Sequence, residues 1–367
     1  MTERERLLAV FRDEKPDMTP WYADLSYWYT GRKAMGSLDR KYEGEEGYVG
    51  LHRDAGAGIY LFAPQVWKEE AGEGIKVEQE RNGNEIFTGI STPAGKIRSV
   101  ERYLPGSYTT AYVEHYIKEP GDLKVMRYYF KNRRISPSFD DFNRIDRLWG
   151  EWGMPVLLSP VCTSPLQTLI TRWAGIQTTV FLLADAREEV ERTISEIEES
   201  DSAIFEIIAG SPARIVEFPE NLSGEVTGAK LIEKYEMPYW KKRIKQLRDT
   251  GKLLAIHNDG TLKQSLPLLI DTGFDAVESI TPAPVGDMTN EEIREMAGDR
   301  LIVWGGLPAA LFSPVYSEDF FAEYLNKALD IFPPGSKFIL SAADEVPPDS
   351  EFERICLVRK ILNARRR

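Results

Sequence analysis

The sequence repeats one pattern along most of its length: a short apolar run, a polar or Gly/Pro-rich junction, and then a segment with helical periodicity. Eight of the apolar runs are predicted to be strands, at residues 19–23, 58–63, 154–159, 213–218, 253–257, 275–280, 301–305 and 337–342. Runs such as LLAIH lack polar alternation, which suits parallel strands that are covered on both faces. Eight alternating units favour a closed (β/α)8 TIM barrel of the α/β class over an open doubly wound sheet.

Helices are predicted between the strands at residues 228–250, 261–271, 289–297 and 318–331, and a first helix follows the capping-box pair of Thr2 and Glu5. The span 64–150 has a different texture, because an Asn-Gly pair separates two alternating segments in KVEQERNGNEIFTGI, which is a hairpin signal. We therefore expect a β-hairpin and helix insertion after the second strand, lying over one mouth of the barrel. The whole chain, residues 1–367, is then expected to form a single barrel domain.

Charge and composition limit the partners. Acidic residues outnumber basic ones by 58 to 46, and the net charge of −12 disfavours nucleic acid as a partner. No stretch approaches the roughly 18 apolar residues of a membrane span, so we expect no membrane partner and a cytoplasmic location. The two cysteines, Cys162 and Cys356, have no metal or redox spacing and are interpreted as small buried hydrophobes. The sequence contains no coiled-coil pattern that would predict an oligomeric state, which stays open.

In barrels of this kind the active site lies at the C-terminal ends of the strands. The candidate side chains at these predicted ends are Asp24, Glu220, Asn221, His257, Asp259, Glu278, Trp304, Asp344 and Glu345. His257 and Asp259 are two residues apart and would project the same way from the end of their strand. One imidazole and several carboxylates can bind a divalent cation. Without a cation, at least one carboxyl group would hold a proton and serve as an acid near neutral pH.

Each of these residues also has a structural interpretation. Asp259 could cap the following helix, Asp344 could also be a cap, and His257 could be a hydrogen-bonded core histidine. Glu220 and Asn221 could close a loop, and Trp304 could be a packing residue, as could the aromatic residues near Tyr22. The pattern alone leaves a metal site, an acid/base pair and a structural cap all open.

The chain resembles the uroporphyrinogen decarboxylase family, in particular its branch of cobalamin-linked methyltransferases, over most of its length. The opening RERLLAVFRDEKPDMTPWY is similar to the first helix and strand of the family. TPAGKIRSVERY and EHYIKEPGDLKVM resemble segments of the methyltransferase-like branch. Three later segments of the chain are similar to the last three or four strand-loop units of the family in order and spacing: HNDGTLKQSLPLLIDTGFDAVESITP, GDRLIVWGGL and FILSAADEVPPDS. The resemblance implies a (β/α)8 barrel.

Two departures from the family pattern bear on the reaction. The decarboxylase proper has an Arg-rich RQAGRY loop after its first strand, whereas this chain has ADLSYWY, a poor clamp for a substrate with many carboxylates. In the thiol-methylating relatives, the resemblance implies a zinc ion held by a His-x-Cys pair and a later Cys. His257 matches the His, while Asp259 and Asp344 stand at the two Cys positions, with Glu345 as the alternative to Asp344. The resemblance also matches Glu220 and Asn221 to an acidic pair in the branch whose motif is His-x-Asp-Gly, which would provide a fourth ligand.

The resemblance therefore implies a metal-dependent methyltransferase that moves a methyl group between a small O-methylated substrate and a corrinoid (cobalamin) carried by a partner protein. Carboxylates with one imidazole make a harder site than thiolates, with zinc the first expected metal. The expected ligands are His257, Asp259, Asp344 and Glu220, with Glu220 and Asp24 as catalytic groups. The expected substrate pocket contains Tyr22, Asn221, Glu278 and Trp304, and the Trp/Tyr-rich first loop favours an aromatic substrate. The alternatives are a decarboxylase, with Asp24 or Asp259 as its acid, and a ligand-binding barrel without catalysis.

Overall fold

The computed structural model describes residues 1–61, 64–158 and 163–366. Within these ranges the strands are β1 (Trp21–Asp24), β2 (Trp67–Glu70), β3 (Lys76–Asn82), β4 (Glu85–Thr92), β5 (Gly95–Leu104), β6 (Thr109–Glu114), β7 (Arg134–Pro137), β8 (Val156–Leu158), β9 (Ile215–Phe218), β10 (Leu253–His257), β11 (Ala276–Ile280), β12 (Ile302–Pro308) and β13 (Phe338–Glu345). Seven of them form one parallel sheet in the order β1-β13-β12-β11-β10-β9-β8.

The two edges of this sheet are joined by residues 57–60, which take the place of the second predicted strand. The Gly58 amide donates to the Trp21 carbonyl of β1 at 2.8 Å, and the Tyr60 carbonyl accepts from the Val156 amide of β8 at 2.9 Å. Isolated parallel bridges accompany these hydrogen bonds. The expected (β/α)8 barrel is therefore confirmed, with its second strand reduced to a short bridging segment; residues 62, 63 and 159 of the predicted strands lie outside the described ranges.

The helices are α1 (Glu3–Phe11), α2 (Ser26–Ala34), α3 (Gly44–Ala55), α4 (Leu123–Asn132), α5 (Asp140–Trp149), α6 (Pro165–Thr168), α7 (Ile176–Asp185), α8 (Arg187–Gly210), α9 (Ala229–Leu231), α10 (Met237–Arg248), α11 (Leu266–Ile270), α12 (Asn290–Ala297), α13 (Glu318–Ile331) and α14 (Phe352–Arg365). The capping boxes at Thr2 and Thr289 are both formed. The helix predicted over 261–271 is shorter, because Pro267 is tolerated only in a first helical turn and α11 therefore starts at Leu266. The predicted helix 228–250 is divided by a π-helical turn at Ile232–Glu236.

The barrel interior is packed with side chains and is closed at its N-terminal end by α1. Leu7, Leu8 and Val10 of α1 join one apolar cluster with inward-facing residues of the strands. The Phe11 ring meets Trp304 of β12 edge to face, with centroids 6.3 Å apart. A larger cluster fills the space between the outer faces of the strands and the surrounding helices. With one end filled, the C-terminal mouth is where a site can form.

The insertion is larger than the hairpin that the sequence predicts. Strands β3 to β6 form a four-stranded antiparallel sheet, and β2 pairs with β7 in a two-stranded ribbon. Ile90 and Ile97 of this sheet share an apolar cluster with Leu166 and Leu182 of the barrel helices, while the single domain stays a prediction. Tyr108 in the β5–β6 turn lies beside α2, which follows β1, so the insertion reaches the C-terminal mouth.

No helix in the described part of the chain is long and apolar enough to cross a membrane. Cys356 is a free, half-buried cysteine, whereas Cys162 lies outside the described residues.

Asp17 links both ends of the chain to helix α1 and predicts an acid-dependent stability. Its carboxylate accepts from Arg6 at 2.7 and 3.1 Å and also contacts the N-terminal amine and Arg366. The hydrogen bond from Arg6 lowers the pKa of Asp17 from 3.8 to about 2, so its stabilising effect is complete above pH 3.8 and lost as the pH falls towards 2. We expect Asp17→Asn to lower the free energy of unfolding at pH 7 by about 1–2 kcal/mol and to flatten this acid limb in urea titrations.

The control is Glu206→Gln, which alters an exposed carboxylate near the C-terminal end of α8 and should leave the pH profile unchanged. An Asp17→Asn protein with the parent's acid limb would contradict the prediction.

Candidate active site

A polar layer lies above the apolar interior, towards the C-terminal ends of the strands. The apolar layer includes Ile215, Ala255 and Ala276 on three neighbouring strands. Two residues further along the same strands stand Glu217, His257 and Glu278, and side chains two apart on a strand face the same way. Both glutamates are fully buried and His257 is only 9% exposed. These three ionisable groups therefore meet inside the mouth of the barrel.

His257 is the centre of this group. Its Nδ1–H donates to Glu278 Oε2 at 2.6 Å, and the same nitrogen lies 3.6 Å from Glu217 Oε1. The Tyr60 hydroxyl donates to the other oxygen of Glu278 at 2.7 Å. Among the described residues, neither oxygen of Glu217 has a hydrogen-bond partner. The sequence prediction included His257 and Glu278 but missed Glu217 and Tyr60.

Asp259 faces the other ring nitrogen of His257, with Oδ2 3.8 Å from Nε2. The next residue is a glycine because the loop after β10 packs tightly on the loop after β9. A Cβ at Gly260 would lie 2.3 Å from the Ser223 Cβ. Asp344, at the end of β13, is exposed and has a left-handed backbone with φ of 67°. The pKa of Asp344 is raised to about 6 by partial burial and by neighbouring carboxylates, including Asp259. The charge of His257 acts in the opposite direction and lowers this pKa. The structure therefore brings His257, Asp259 and Asp344 to one mouth, as predicted from the sequence.

The polar groups continue along the mouth to Asp24 and Glu345. Asp24 Oδ1 accepts from the Ser26 amide at 2.8 Å, and the Ser26 hydroxyl donates to Glu345 at 3.0 Å. Burial and the charge of Glu345 raise the pKa of Asp24 to about 7. Asp24 is therefore poised to exchange a proton near neutral pH.

Glu220 and Asn221 lie in a different environment. Glu220 is buried and its carboxylate accepts from the Ser164 amide at 2.7 Å, the Ser164 hydroxyl at 2.9 Å and the Trp240 indole at 2.7 Å. Asn221 is exposed, with a left-handed backbone at φ 44°. The structure records no contact between Glu220 and His257, so its predicted role as a ligand or acid at that centre stays a prediction.

Tyr22 and Trp304 are packed in the barrel interior, without exposed surface. The Tyr22 hydroxyl donates to the Glu3 carbonyl of α1 at 2.9 Å, which points it towards the closed end. The Trp304 ring packs against Tyr60 and Tyr22 with centroid distances of 4.7 and 6.2 Å. Their predicted contact with a substrate stays a prediction, and their burial favours a packing role.

The group of Glu217, His257 and Glu278 fits a divalent cation. One donor atom from each residue lies within 4.8 Å of the others. A buried carboxylate without hydrogen-bond partners is costly, and Glu217 beside a second carboxylate would be stabilised by a metal ion. Two carboxylates and one imidazole are ligands that zinc accepts, as do manganese, iron and cobalt.

The charges within this group are strongly coupled. Burial alone would lower the pKa of His257, but the charge of Glu278 and the contacts with Asp259 and Glu217 raise it well above its ordinary value. Burial and the charge of Glu278 raise the pKa of Glu217 to about 8. Both shifts favour the protonated forms of Glu217 and His257 when no cation is bound.

Comparison with known proteins supports the fold. A family model described as uroporphyrinogen decarboxylase (URO-D) matches residues 86–364. A methyltransferase from Methanosarcina mazei has a similar structure, with a TM-score of 0.63 and 12% sequence identity over 99% of each chain. That identity shows a common fold alone. A structure of the pneumococcal virulence factor StrH, at 10% identity over 61% of this chain and 62% of that chain, has a TM-score of only 0.34 and carries no argument. The comparison with curated proteins finds no match.

Proposed function

The chain belongs to the uroporphyrinogen decarboxylase family, and from that premise we propose that it is a metal-dependent methyltransferase. It would move a methyl group between a small O-methylated substrate and a corrinoid protein in the cytoplasm. The observation that carries the proposal is the buried group of Glu217, His257 and Glu278 at the barrel mouth, in which neither oxygen of Glu217 has a hydrogen-bond partner among the described residues. The similar fold of the Methanosarcina methyltransferase is consistent with it.

The proposal assigns the metal to Glu217, His257 and Glu278, with zinc as the first candidate. This differs from the ligand set expected from the resemblance, since Glu217 and Glu278 join His257, while Asp259 and Asp344 face the open side. When bound, the metal would supply Lewis acidity for a substrate oxygen. Tyr60 would hold the orientation of Glu278 through its hydrogen bond, as outer partners of metal ligands commonly do.

Asp24 is the proposed acid. In demethylation the bond between the methyl carbon and oxygen breaks, the oxygen keeps the electron pair, and the methyl group passes to the corrinoid acceptor. The departing oxygen needs a proton, and Asp24, whose pKa burial raises to about 7, can provide it at neutral pH. Ser26 would fix Asp24 through its amide and link it to Glu345.

The charge of the mouth disfavours the alternative decarboxylase. The side chains that shift the pKa of Asp24 and Asp344 include the carboxylates of Glu345, Asp259 and Glu278, with His257 as the opposing charge. Such an acidic mouth would repel a substrate that carries several carboxylates. A neutral methyl ether meets no such repulsion.

The test is metal analysis together with a methyl-transfer assay. The protein would be purified without chelator or affinity-tag nickel and mixed with reduced cobalamin and an aromatic methyl ether. We expect about one zinc per chain at the barrel mouth and formation of methylcobalamin together with the phenol. A well-folded protein that binds no metal after addition of zinc, manganese or cobalt, and that releases carbon dioxide from a carboxylated substrate, would instead establish the decarboxylase.

Tyr60→Phe tests the support of the metal site. The change removes the hydroxyl that donates to Glu278 and keeps the buried ring. We expect zinc affinity, measured by competition with a chromogenic chelator, to fall about 10- to 100-fold. The matched control is Tyr22→Phe, which removes an equally buried hydroxyl whose partner is the Glu3 carbonyl and should leave zinc affinity unchanged. Equal affinities in the parent and Tyr60→Phe would contradict the assignment of Glu278 as a ligand.

A further inference from the structure

A second pair of buried carboxylates lies outside the barrel wall, between the loop after β9 and the helices α6 and α10. Glu220 and Glu236 are both fully buried. Trp240 connects them: its indole donates to Glu220 Oε1 at 2.7 Å, and it stands four residues after Glu236 on the same helical face. The charge of Glu220, added to burial, raises the pKa of Glu236 well above its ordinary value. Glu236 is thus a buried carboxyl group that lies in the electrostatic field of a second one.

This pair has oxygen acceptors that nothing in the described residues satisfies. Neither oxygen of Glu236 has a hydrogen-bond partner there, and neither does Oε1 of Gln167, which is 2% exposed. The Gln167 amide group is held next to Glu220, because its Nε2 donates to the Glu220 carbonyl at 2.5 Å. Three unsatisfied oxygens therefore accompany a carboxylate that is already fixed by Ser164 and Trp240.

No lysine or arginine in the described parts of the chain forms an ion pair with Glu220 or Glu236. Every recorded ion pair involves other carboxylates, such as those of Asp17 and Asp201. A buried carboxylate is normally paired with a cation, bound to a metal or protonated. Two adjacent carboxylates with no basic partner leave a metal ion or a shared proton as the neutralising group.

The helix geometry around the pair is also unusual. A π-helical turn at Leu169–Trp173 follows α6 directly, and a second one, Ile232–Glu236, ends at Glu236 itself. A π turn adds a residue to a helix and turns the following side chains, and such turns are frequent at functional sites. Both segments that supply the unsatisfied oxygens are thus shaped by an uncommon local geometry.

We propose that Glu220, Glu236 and Gln167 form a second metal site, which holds a hard divalent cation. Two carboxylates match the charge of such an ion, and the donors are all oxygen, which suits calcium, magnesium or manganese. Calcium fits best, since it accepts irregular geometry and amide oxygen ligands. Zinc would instead occupy the imidazole-containing group at the mouth.

The ion would stabilise a loop that borders the mouth. Residues 221–228 connect Glu220 to the helical segment that carries Glu236. The same loop contacts the loop that follows His257: the Gly260 amide donates to the Leu222 carbonyl at 3.1 Å, and the Gly224 amide to the Thr261 carbonyl at 3.2 Å. The second site would thereby hold Asp259 in place without contacting the substrate.

The experiment compares the parent with Glu236→Gln and with the control Glu233→Gln, which alters an exposed residue of the same π turn. Each protein is stripped with a chelator and then followed by thermal unfolding and native mass spectrometry during addition of calcium, magnesium or manganese. We expect calcium to raise the unfolding midpoint of the parent and of Glu233→Gln by about 5 °C and to add one ion to their mass. Glu236→Gln should show neither effect.

A shared proton would give the opposite pattern. The parent would then bind none of the three ions and show no shift, and Glu236→Gln would unfold at or above the parent's midpoint; this result would overturn the proposal. The parent's own response decides the question even if Glu236→Gln does not fold. The outcome is separate from that of the methyltransferase, because zinc should remain in Glu236→Gln and be lost from His257→Ala.

Discussion

His257→Ala should lose the zinc ion and nearly all methyl transfer. His257 is the only nitrogen donor of the proposed ligand group, and its removal would leave Glu217 and Glu278 facing each other in a buried space. Like charges in such a space take up a proton, which removes the charge that attracts a metal. Loss of a Lewis acid worth several kcal/mol in the transition state corresponds to a fall of about a thousandfold or more in kcat/KM.

The matched control is His115→Ala. His115 belongs to the insertion, where its ring stacks on Tyr112 and its Nδ1 contacts the Arg172 carbonyl. This variant should keep the parent's zinc content and rate. Circular dichroism would verify that both variants are folded. A folded His257→Ala protein with the parent's zinc content and kcat/KM would eliminate the proposed centre, whereas loss of zinc with retained activity would make the metal structural.

Much of the barrel could be predicted because the hydrophobic pattern of a buried parallel strand is local. The strand at 253–257 and the helix at 318–331 have the predicted bounds. The second strand was overestimated within its described residues 58–61, since GIYL is as apolar as a full strand but makes only isolated bridges to its neighbours. The sequence signal identified only the β3–β4 hairpin of the four-stranded sheet, because the turns that join β4 to β5 and β5 to β6 lack the Asn-Gly pair that marks the first turn.

The site was only partly predictable for a related reason. Strand ends identified His257, Asp259 and Asp344, but Glu217 lies within the apolar run RIVEF, one layer deeper than the strand end. The available signal was the spacing: Glu217 stands two residues after the inward-facing Ile215, so a carboxylate there must enter the interior. Tyr60 had no comparable signal, since an aromatic residue in a strand is most often packing and only the fold shows that its hydroxyl reaches Glu278.

Trp304→Ala should strongly destabilise the packed interior of the barrel. Its indole is fully buried and contacts the rings of Phe11, Tyr22 and Tyr60, so truncation opens a cavity between α1 and the strands. Replacing a buried tryptophan by alanine typically costs about 3–5 kcal/mol, which urea unfolding would measure as a lower midpoint. Because the ring has no exposed surface, we expect the KM for the methyl ether to stay near the parent value.

The comparison with Phe181→Ala separates packing from substrate contact. Phe181 on α7 is 58% exposed, so its truncation removes a large apolar side chain without opening an interior cavity and should change the urea midpoint little. Trp304→Phe should fall between the parent and Trp304→Ala, because a smaller ring fills part of the same space. If Trp304→Ala instead kept the parent's urea midpoint and raised the KM strongly, the indole would belong to the substrate pocket, as the sequence predicted. A lower urea midpoint with an unchanged KM would assign the Trp304 indole to the interior packing on which the Tyr60 ring rests.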